Sequence, residues 1–154
     1  MKQFDEQVNA LLRQLGESKK MVLSTALHDK VTARTMSIII ANGRFYFQAD
    51  LTSRKCAQLL FNPNAALCAD NIQIEGICTE VGHPSVVPFF CELYERHFAT
   101  AYKRYTFLKN ERVFEIQPLY VQKWMYENDL PFIERYDFIN MVYQKEKYEG
   151  ESSS

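Results

Sequence analysis

The chain has 154 residues, of which 47% are hydrophobic and 24% are charged, and its formal net charge is −1. This length and composition predict a single globular domain with its own core and exclude a disordered chain. The near-zero net charge argues against a nucleic-acid partner, because proteins that bind phosphate backbones usually carry a clear basic excess.

The N-terminal segment predicts a helix and shows no pattern of membrane targeting. Acidic Asp5 and Glu6 lie where a signal peptide needs an apolar core, and no apolar run is long enough to span a bilayer. We therefore expect a cytoplasmic protein that does not contact a membrane. Apolar residues recur at helical spacing from Phe4 to Leu15, which predicts an amphipathic helix that ends at Gly16.

The next segment predicts three strands joined by tight turns. Met21 to Leu27 indicates a half-buried strand, and Val31 to Ala41 is largely apolar and β-branched. Asn42-Gly43 follows, which is the strongest short-range signal for a β-hairpin, and Arg44 to Asp50 forms the partner strand.

The rest of the chain continues as short strands with helices between them. In order, these are a short helix from Arg54 to Phe61 stopped by Asn62-Pro63, strands from Ala65 to Ala69 and from Ile72 to Val81, a helical region from Pro84 to Tyr105, extended segments from Val113 to Ile116 and from Leu119 to Tyr126 with a break at Pro118, and a last helix from Phe132 to Lys147. About six strands in hairpin order predict an α+β, mainly β fold. Closure protects the edges of such a sheet, so we expect an antiparallel β-barrel with flanking helices.

The turn Thr52-Ser53-Arg54-Lys55 has the composition of an anion site. Thr52 or Ser53 occupies the N-cap position of the short helix, and Arg54 and Lys55 lie in its first turn. Cations in a first turn oppose the helix dipole, unless a bound dianion such as a phosphate lies between them and the backbone N–H groups. The alternative is an ordinary capped surface helix with two solvated cations.

Arg34 interrupts an otherwise uncharged strand. The hairpin predicts that residues 34–37 are neighbours of residues 48–50, which brings Arg34 to the same anion. Thr35 and Ser37 alternate to the face opposite Arg34, and we expect their side chains to pack inward while the strand backbone meets a ligand. The alternative is an arginine that points into solvent.

These segments together resemble the pyridoxamine 5'-phosphate oxidase-like flavoproteins, the FMN-binding split barrels. The matching features, in order and spacing, are the strand Arg34 to Ile39, the strand end Phe47-Gln48-Ala49, the turn Ser53-Arg54-Lys55, the helix end Asn62-Pro63 and the hairpin around Gly76. The likeness covers about residues 1 to 125 and is strongest from Val31 to Val81. It implies one FMN-binding split-barrel domain over residues 1–148, and the polar residues 149–154 predict a disordered tail.

The resemblance also implies a homodimer with FMN at the interface. It assigns the FMN phosphate to Arg34, Ser53 and Lys55, with help from Arg54, and the isoalloxazine edge to Thr35, Met36, Ser37, Gln48 and Ala49. Asn71 or Gln73 offers an amide to the ring or the ribityl chain. Trp124 lies near the flavin of the partner, or alternatively is a packed ring with no cofactor contact.

The activity implied is that of an oxidoreductase that passes hydride or electrons between NAD(P)H or a small substrate and flavin N5. The basic, tryptophan-containing segment with which the true oxidase grips pyridoxal phosphate is missing, and the segments 84–112 and 130–148 differ as well. The chain is therefore more similar to the nitroimidazole-resistance and general-stress flavoproteins. Alternatives are a flavin carrier or sensor without turnover, a haem-binding relative that uses His28, His83 or His97, and a deazaflavin-dependent reductase.

Two further features of the composition bear on function. The four cysteines, Cys56, Cys68, Cys78 and Cys91, form no C-x-x-C pair, so we expect buried thiols in a reducing compartment and no metal site. The 11 Phe, 9 Tyr and 1 Trp are many for a small domain and indicate a large interface, a planar ligand, or both.

Overall fold

The computed structural model describes residues 2–150, so the expected tail lies outside the described residues from Glu151 onward. Its elements are α1 (Lys2–Leu15), β1 (Ser18–Leu27), β2 (Lys30–Ala41), β3 (Arg44–Asp50), α2 (Arg54–Phe61), β4 (Asn64–Ala69), β5 (Ile72–Gly82), a 3-10 turn (Pro84–Val86), α3 (Pro88–His97), α4 (Ala99–Tyr105), β6 (Glu111–Glu127), β7 (Leu130–Asp137) and β8 (Val142–Lys147). None of the helices within residues 2–150 has the length and apolar character needed to cross a bilayer.

Six of the strands close into an antiparallel barrel. The sheet order is β3-β2-β1-β4-β5-β6-β7-β8, and a further pairing between β3 and β6 closes the ring. Strands β7 and β8 extend the sheet beyond the barrel, and the four helices flank it. The predicted mainly β barrel of about six strands with flanking helices is confirmed.

The barrel is split where β2 and β3 separate. Their ladder contains three pairs, from Ala41–Arg44 to Ile39–Tyr46, and the two strands then diverge. On its other edge β3 pairs with β6 from Phe45 to Asp50, and after Tyr46 this is its only strand partner in the described ladders. The expected cross-strand pairing of residues 34–37 with residues 48–50 is therefore absent from the described ladders, because barrel closure draws β3 toward β6.

Alternate residues of the strands fill the barrel and leave a second cluster outside it. Leu23, Phe47 and Ile74 belong to the inner core, which also includes the buried face of α1. On the outer surface, Ile39 and Tyr46 pack beneath α3. This second cluster explains the aromatic excess in part, because it includes buried rings that a single-layered barrel would expose.

The Asn42-Gly43 turn forms as the sequence predicts, whereas the expected break at Pro118 does not. Asn42 and Gly43 have φ values of 54° and 74°, the positive values that a tight hairpin turn requires. Pro118 does not break its strand, because β6 runs through it. A β-bulge between Glu75 and Gly76 accommodates the proline, which pairs with Gly76.

The predicted helix from Phe132 to Lys147 is wrong, since this segment forms β7 and β8. The spacing of Phe132 and Tyr136 fits a helix, but two residues four apart also lie on one face of a strand. Asp137 ends β7, and its Oδ1 accepts hydrogen bonds from the backbone N–H groups of Ile139 and Asn140 in the turn that follows, both at 3.0 Å. Met141 there has a φ of 56°, which ends any helical path.

The cysteines are all free thiols. Cys56 and Cys78 are buried, as expected, whereas Cys68 is exposed because it lies on the outward face of β4. Within residues 2–150 no group of three or more His, Cys, Asp or Glu side chains is placed to hold a metal ion.

Candidate anion and cofactor site

The N-terminus of α2 carries a hydroxyl that the protein itself leaves unused. Ser53 is the N-cap residue, with φ −73° and ψ 156°, but its side chain makes no capping hydrogen bond. Ser53 Oγ is buried and has no hydrogen-bond partner among the described residues. Burial raises the pKa of the neighbouring Cys56 thiol, and a contact with Ser53 acts against that larger effect. Sulfur is a weak acceptor, so this contact leaves most of the hydroxyl's bonding capacity available.

Thr52, the other candidate for the cap, has a different role. Its backbone N–H and its hydroxyl both donate to Asp50 Oδ1, at 2.7 and 2.6 Å. These hydrogen bonds lower the pKa of Asp50 and fix the turn that leads into α2. Ser53 is therefore the hydroxyl that faces a prospective ligand.

Arg34 lies on the inner face of β2 and reaches the end of the barrel that α2 covers. Its guanidinium donates to the carbonyl oxygen of Leu23 at 3.2 Å and to Thr25 Oγ1 at 2.9 Å, and it also donates to Thr32 Oγ1. Both threonine hydroxyls donate in turn to Gln58 Oε1 on α2. Thr25, Thr32 and Gln58 thus hold Arg34 beside α2, a set of residues that the sequence pattern did not reveal.

Positive charge is concentrated beside this helix terminus. Burial, and next the positive charge of Arg54, lower the pKa of Arg34, so the two guanidinium groups are close enough to repel each other. Arg34, Arg54 and Lys55 form no ion pair within residues 2–150. Lys55 is near Asp50, but at a longer range than an ion pair.

These features fit the phosphate group of a mononucleotide. A dianion there would relieve the repulsion between Arg34 and Arg54, accept a hydrogen bond from Ser53, and bind the free N–H groups of the first turn of α2. Arg34 is held at the anion site by the contacts beside α2. The sequence had predicted that the pairing of β2 with β3 in the hairpin would bring it there.

Thr35, Met36 and Ser37 lie along the split edge of β2, with faces opposite to those expected. Met36 packs against the inner core, whereas Thr35 is exposed. Ser37 points outward to Tyr94 of α3. Burial raises the pKa of Tyr94 to about 12, and the contact with Ser37 acts to lower that pKa. The prediction that Thr35 and Ser37 pack inward is wrong, because Arg34 and Met36 share the inward face with Ile38.

Gln48 and Ala49 lie on the other side of the split. Ala49 faces the core, and Gln48 faces outward into a buried polar cluster. Thr106 donates to Gln48 Oε1 at 3.0 Å, and Glu111 interacts with the Gln48 side chain. Burial, and next the charge of Asp50, raise the pKa of Glu111. Thr106 and Glu111 were missed because nothing near them in the sequence marks a contact with β3.

Asn71, Gln73 and Trp124 are not brought to the anion site within one chain. The side-chain amide of Asn71 donates to the backbone carbonyl oxygen of Trp124. The backbone N–H of Trp124 donates to the backbone carbonyl oxygen of Asn71 at 3.1 Å. The Trp124 ring packs edge-on against Tyr148, and Gln73 bonds Glu75 at 3.0 Å. Gln73 lies on β5, which is three strands from β2 in either direction around the barrel, while Asn71 immediately precedes β5 and Trp124 lies on the neighbouring strand β6.

The architecture defines a class. Solved structures that share it are consistently pyridoxamine 5'-phosphate oxidase-like, general stress protein 26, NimC/NimA family and FMN-binding proteins, so the chain has the split-barrel fold of that class. Neither a protein-family model nor a curated protein matches the sequence.

Three solved structures illustrate the likeness. PhzG from Burkholderia lata, in complex with tetrahydrophenazine-1-carboxylic acid, is 17% identical over 94% of this chain and 89% of that one, with a TM-score of 0.63. A pyridoxamine 5'-phosphate oxidase-related, FMN binding protein from Nostoc punctiforme is 13% identical over 94% of each chain, with a TM-score of 0.61. General Stress Protein 26 from Bacillus anthracis is 19% identical over 75% of this chain and 89% of that one, with a TM-score of 0.57. An F420 reductase also shares the fold, with a TM-score of 0.50.

Proposed function

We propose that this chain is an FMN-binding flavoprotein whose anion site holds the FMN phosphate. The observation that carries the proposal is the buried, unpartnered Ser53 Oγ at the N-terminus of α2, beside two guanidinium groups that repel each other. A buried hydroxyl without a hydrogen-bond partner and two guanidinium groups held close together both cost free energy, and one phosphate would relieve both. The FMN binding protein from Nostoc punctiforme shares the fold that presents these residues.

The split between β2 and β3 supports a place for the flavin ring. On the side that faces β3, the edge of β2 before Ile38 has no strand partner in the described ladders. Its backbone N–H and C=O groups are therefore available to a flat ligand with alternating donors and acceptors. Thr35, Met36 and Ser37 on one side and Gln48 and Ala49 on the other would line that ligand, with Gln48 oriented by Thr106 and Glu111.

A homodimer would complete the site. Gln73 lies on β5, opposite β2 in the ring of strands, and Asn71 and Trp124 lie on the segments beside it, so in our proposal all three contact the cofactor of the partner subunit. Their exposure supports this assignment, since Asn71 and Gln73 are exposed and Trp124 is 37% exposed.

The proposed activity is electron transfer with a small substrate, of the kind that nitroimidazole-resistance and general-stress flavoproteins suggest. Bound FMN would supply hydride exchange at its N5 with NAD(P)H or a small substrate. The chain's own residues bind the phosphate, orient the ring edge and exclude water from one side of it.

A flavin carrier or sensor without turnover would use the same residues. Haem is less well supported, because His83 bonds Ser85 and the Leu108 carbonyl oxygen, His97 bonds Glu17, and His28 lies exposed in the turn between β1 and β2. Stopped-flow mixing of the FMN-loaded protein with NADPH and a nitroaromatic separates enzyme from carrier. If the flavin is reduced no faster than free FMN, the oxidoreductase proposal fails.

Calorimetric titration with FMN tests the binding proposal itself. We expect Lys55→Ala to weaken FMN binding by about 1.5–3 kcal/mol, the value of a hydrogen bond to a charged group, and the Arg34→Ala, Lys55→Ala double variant to lose more. Lys30→Ala is the matched control, since Lys30 is exposed at the start of β2. Because Arg34 also bonds Thr25 and Thr32, thermal unfolding of each variant must accompany the titration. Equal affinities in Lys55→Ala and Lys30→Ala would contradict the proposal.

A further inference from the structure

We propose that a cavity between the α3–α4 junction and the outer face of β1 and β2 is a subsite for a small aromatic carboxylic acid. The cavity, here called the junction cavity, has a volume of about 360 Å³. Residues that line it include Lys20, Ser37, Phe98, Thr100, Arg104 and Tyr105.

The junction cavity adjoins the strand edge assigned to the flavin. Lys20 of β1 and Ser37 of β2 are cross-strand partners, so their side chains leave the same face of the sheet side by side. Ser37 is one of the residues proposed to line the flavin ring. A ligand in the junction cavity would therefore lie next to the split between β2 and β3.

The charges of the junction cavity favour an anion. Lys20 and Arg104 form no ion pair within residues 2–150. The nearby carboxylate, Glu17, is already engaged by Arg96 at 3.5 Å and by His97 at 3.2 Å. The guanidinium of Arg104 can hold a carboxylate through two parallel hydrogen bonds, and the ammonium of Lys20 adds a second cation.

The lining residues and the volume of the junction cavity favour an anion that carries an aromatic ring. Phe98 and Tyr105 line the junction cavity, and the Lys20 ammonium lies 5.7 Å from the centre of the Phe98 ring. The volume is near the lower end of the range of about 300–1,000 Å³ found for ligand pockets, which suits one or two fused rings. These walls belong to the segment 84–112, the part of the chain that departs from the true oxidase, so substrate choice would reside there.

Binding of 2-naphthoate to the full chain, without and with FMN, tests the inference by calorimetry. Lys20→Met and Arg104→Met should each weaken 2-naphthoate binding by about ten-fold or more, and the neutral analogue 2-naphthamide should bind the wild type at least about ten-fold less tightly. Lys19→Met is the matched control, because Lys19 is the adjacent lysine on β1 but pairs with Asp70 at 3.1 Å. Its affinity for 2-naphthoate should stay close to that of the wild type.

Several results would overturn the inference. These are no binding of 2-naphthoate to the wild type, equal losses in Lys19→Met and Lys20→Met, or equal affinity for the acid and the amide. The role as a substrate subsite rests on the proposed function, and it predicts that 2-naphthoate shifts the visible absorbance of the FMN-loaded protein. If FMN does not bind but 2-naphthoate still binds in a charge-dependent way, the proposed function alone is contradicted. If 2-naphthoate leaves the flavin spectrum unshifted, the role as a substrate subsite is contradicted.

Discussion

Ser53 occupies the N-cap position of α2, yet its hydroxyl caps nothing. In an ordinary helix the loss of an N-cap hydroxyl costs about 0.5–2 kcal/mol of stability. Here that hydroxyl makes no such bond, so its removal should leave the fold nearly unaffected while removing a ligand contact. A substitution of Ser53 should therefore lower the affinity for the ligand without lowering the stability of the fold.

We expect Ser53→Ala to change the free energy of unfolding little and to weaken FMN binding by about 1 kcal/mol, the value of one hydrogen bond. Urea unfolding and calorimetry measure the two quantities. Thr52→Ala is the control with the opposite expectation, because the Thr52 hydroxyl bonds Asp50 at 2.6 Å and its loss should destabilise the turn. A large loss of stability in Ser53→Ala would show that the hydroxyl has a structural role.

Glu111 is a buried carboxyl, 6% exposed, that lies directly across the ladder from Asp50. Its pKa is raised above the ordinary value of 4.5 by burial first and by Asp50 next. The folded state therefore binds the Glu111 proton more tightly than the unfolded state does. This contribution to stability is complete below the ordinary pKa and is lost as pH rises through the raised pKa.

Glu111→Gln removes that titration. As pH rises from below 4.5 through the raised pKa, the stability of the variant should therefore increase relative to the wild type. Urea unfolding at a series of pH values measures the difference, with Glu92→Gln on the exposed face of α3 as the control. Parallel stability curves for the wild type and Glu111→Gln would show that Glu111 titrates normally.

At the scale of elements, the bulge between β5 and β6 depends on the absence of a side chain at Gly76. A Cβ there would lie 2.4 Å from the Gln117 carbonyl oxygen and 2.8 Å from the Ile116 side chain. The backbone oxygen cannot move away without disturbing the longest strand of the barrel. The bulge in turn lets Pro118 sit within β6.

Gly76→Ala should destabilise the protein by about 1–3 kcal/mol, the usual cost of overpacking. Gly43→Ala is an informative companion, because Gly43 has a φ of 74° and open space around it. Its cost should be about 1 kcal/mol, from backbone strain alone. Urea unfolding of both variants measures the difference, and an equal cost would argue against steric conflict at the bulge.

At the scale of the whole molecule, the residues assigned to FMN divide between separate parts of one barrel. Arg34 lies on β2 and Ser53 at the start of α2, whereas Asn71 precedes β5 and Trp124 lies on β6. If two copies share each cofactor, FMN binding and dimerisation must strengthen each other by linkage.

Sedimentation velocity should then show that saturating FMN lowers the dimer dissociation constant of the wild type. The same FMN concentration should strengthen the dimer of Lys55→Ala much less, because that variant has lost a phosphate contact. A protein that binds FMN and remains monomeric at micromolar concentration would contradict the shared site.

Much of the fold was predictable because its signals are local. The helix α1 with Gly16 at its end, the Asn42-Gly43 turn and the bounds of α2 depend on residues within a few positions of each other. The same is true of the anion motif, since Ser53, Arg54 and Lys55 are consecutive. Backbone preference, capping and turn chemistry act over this range, so the amino-acid order determines them directly.

The remaining features depend on pairings between distant segments, which only the tertiary structure decided. Closure of the barrel takes β3 away from β2, opens the split beside Ser37, and turns Gln48 toward Thr106 and Glu111. Phe132 and its neighbours become strands because β6 offers them a free edge. Strand pairing is selected by which edges remain open once the barrel has formed, and no short stretch of sequence contains that information.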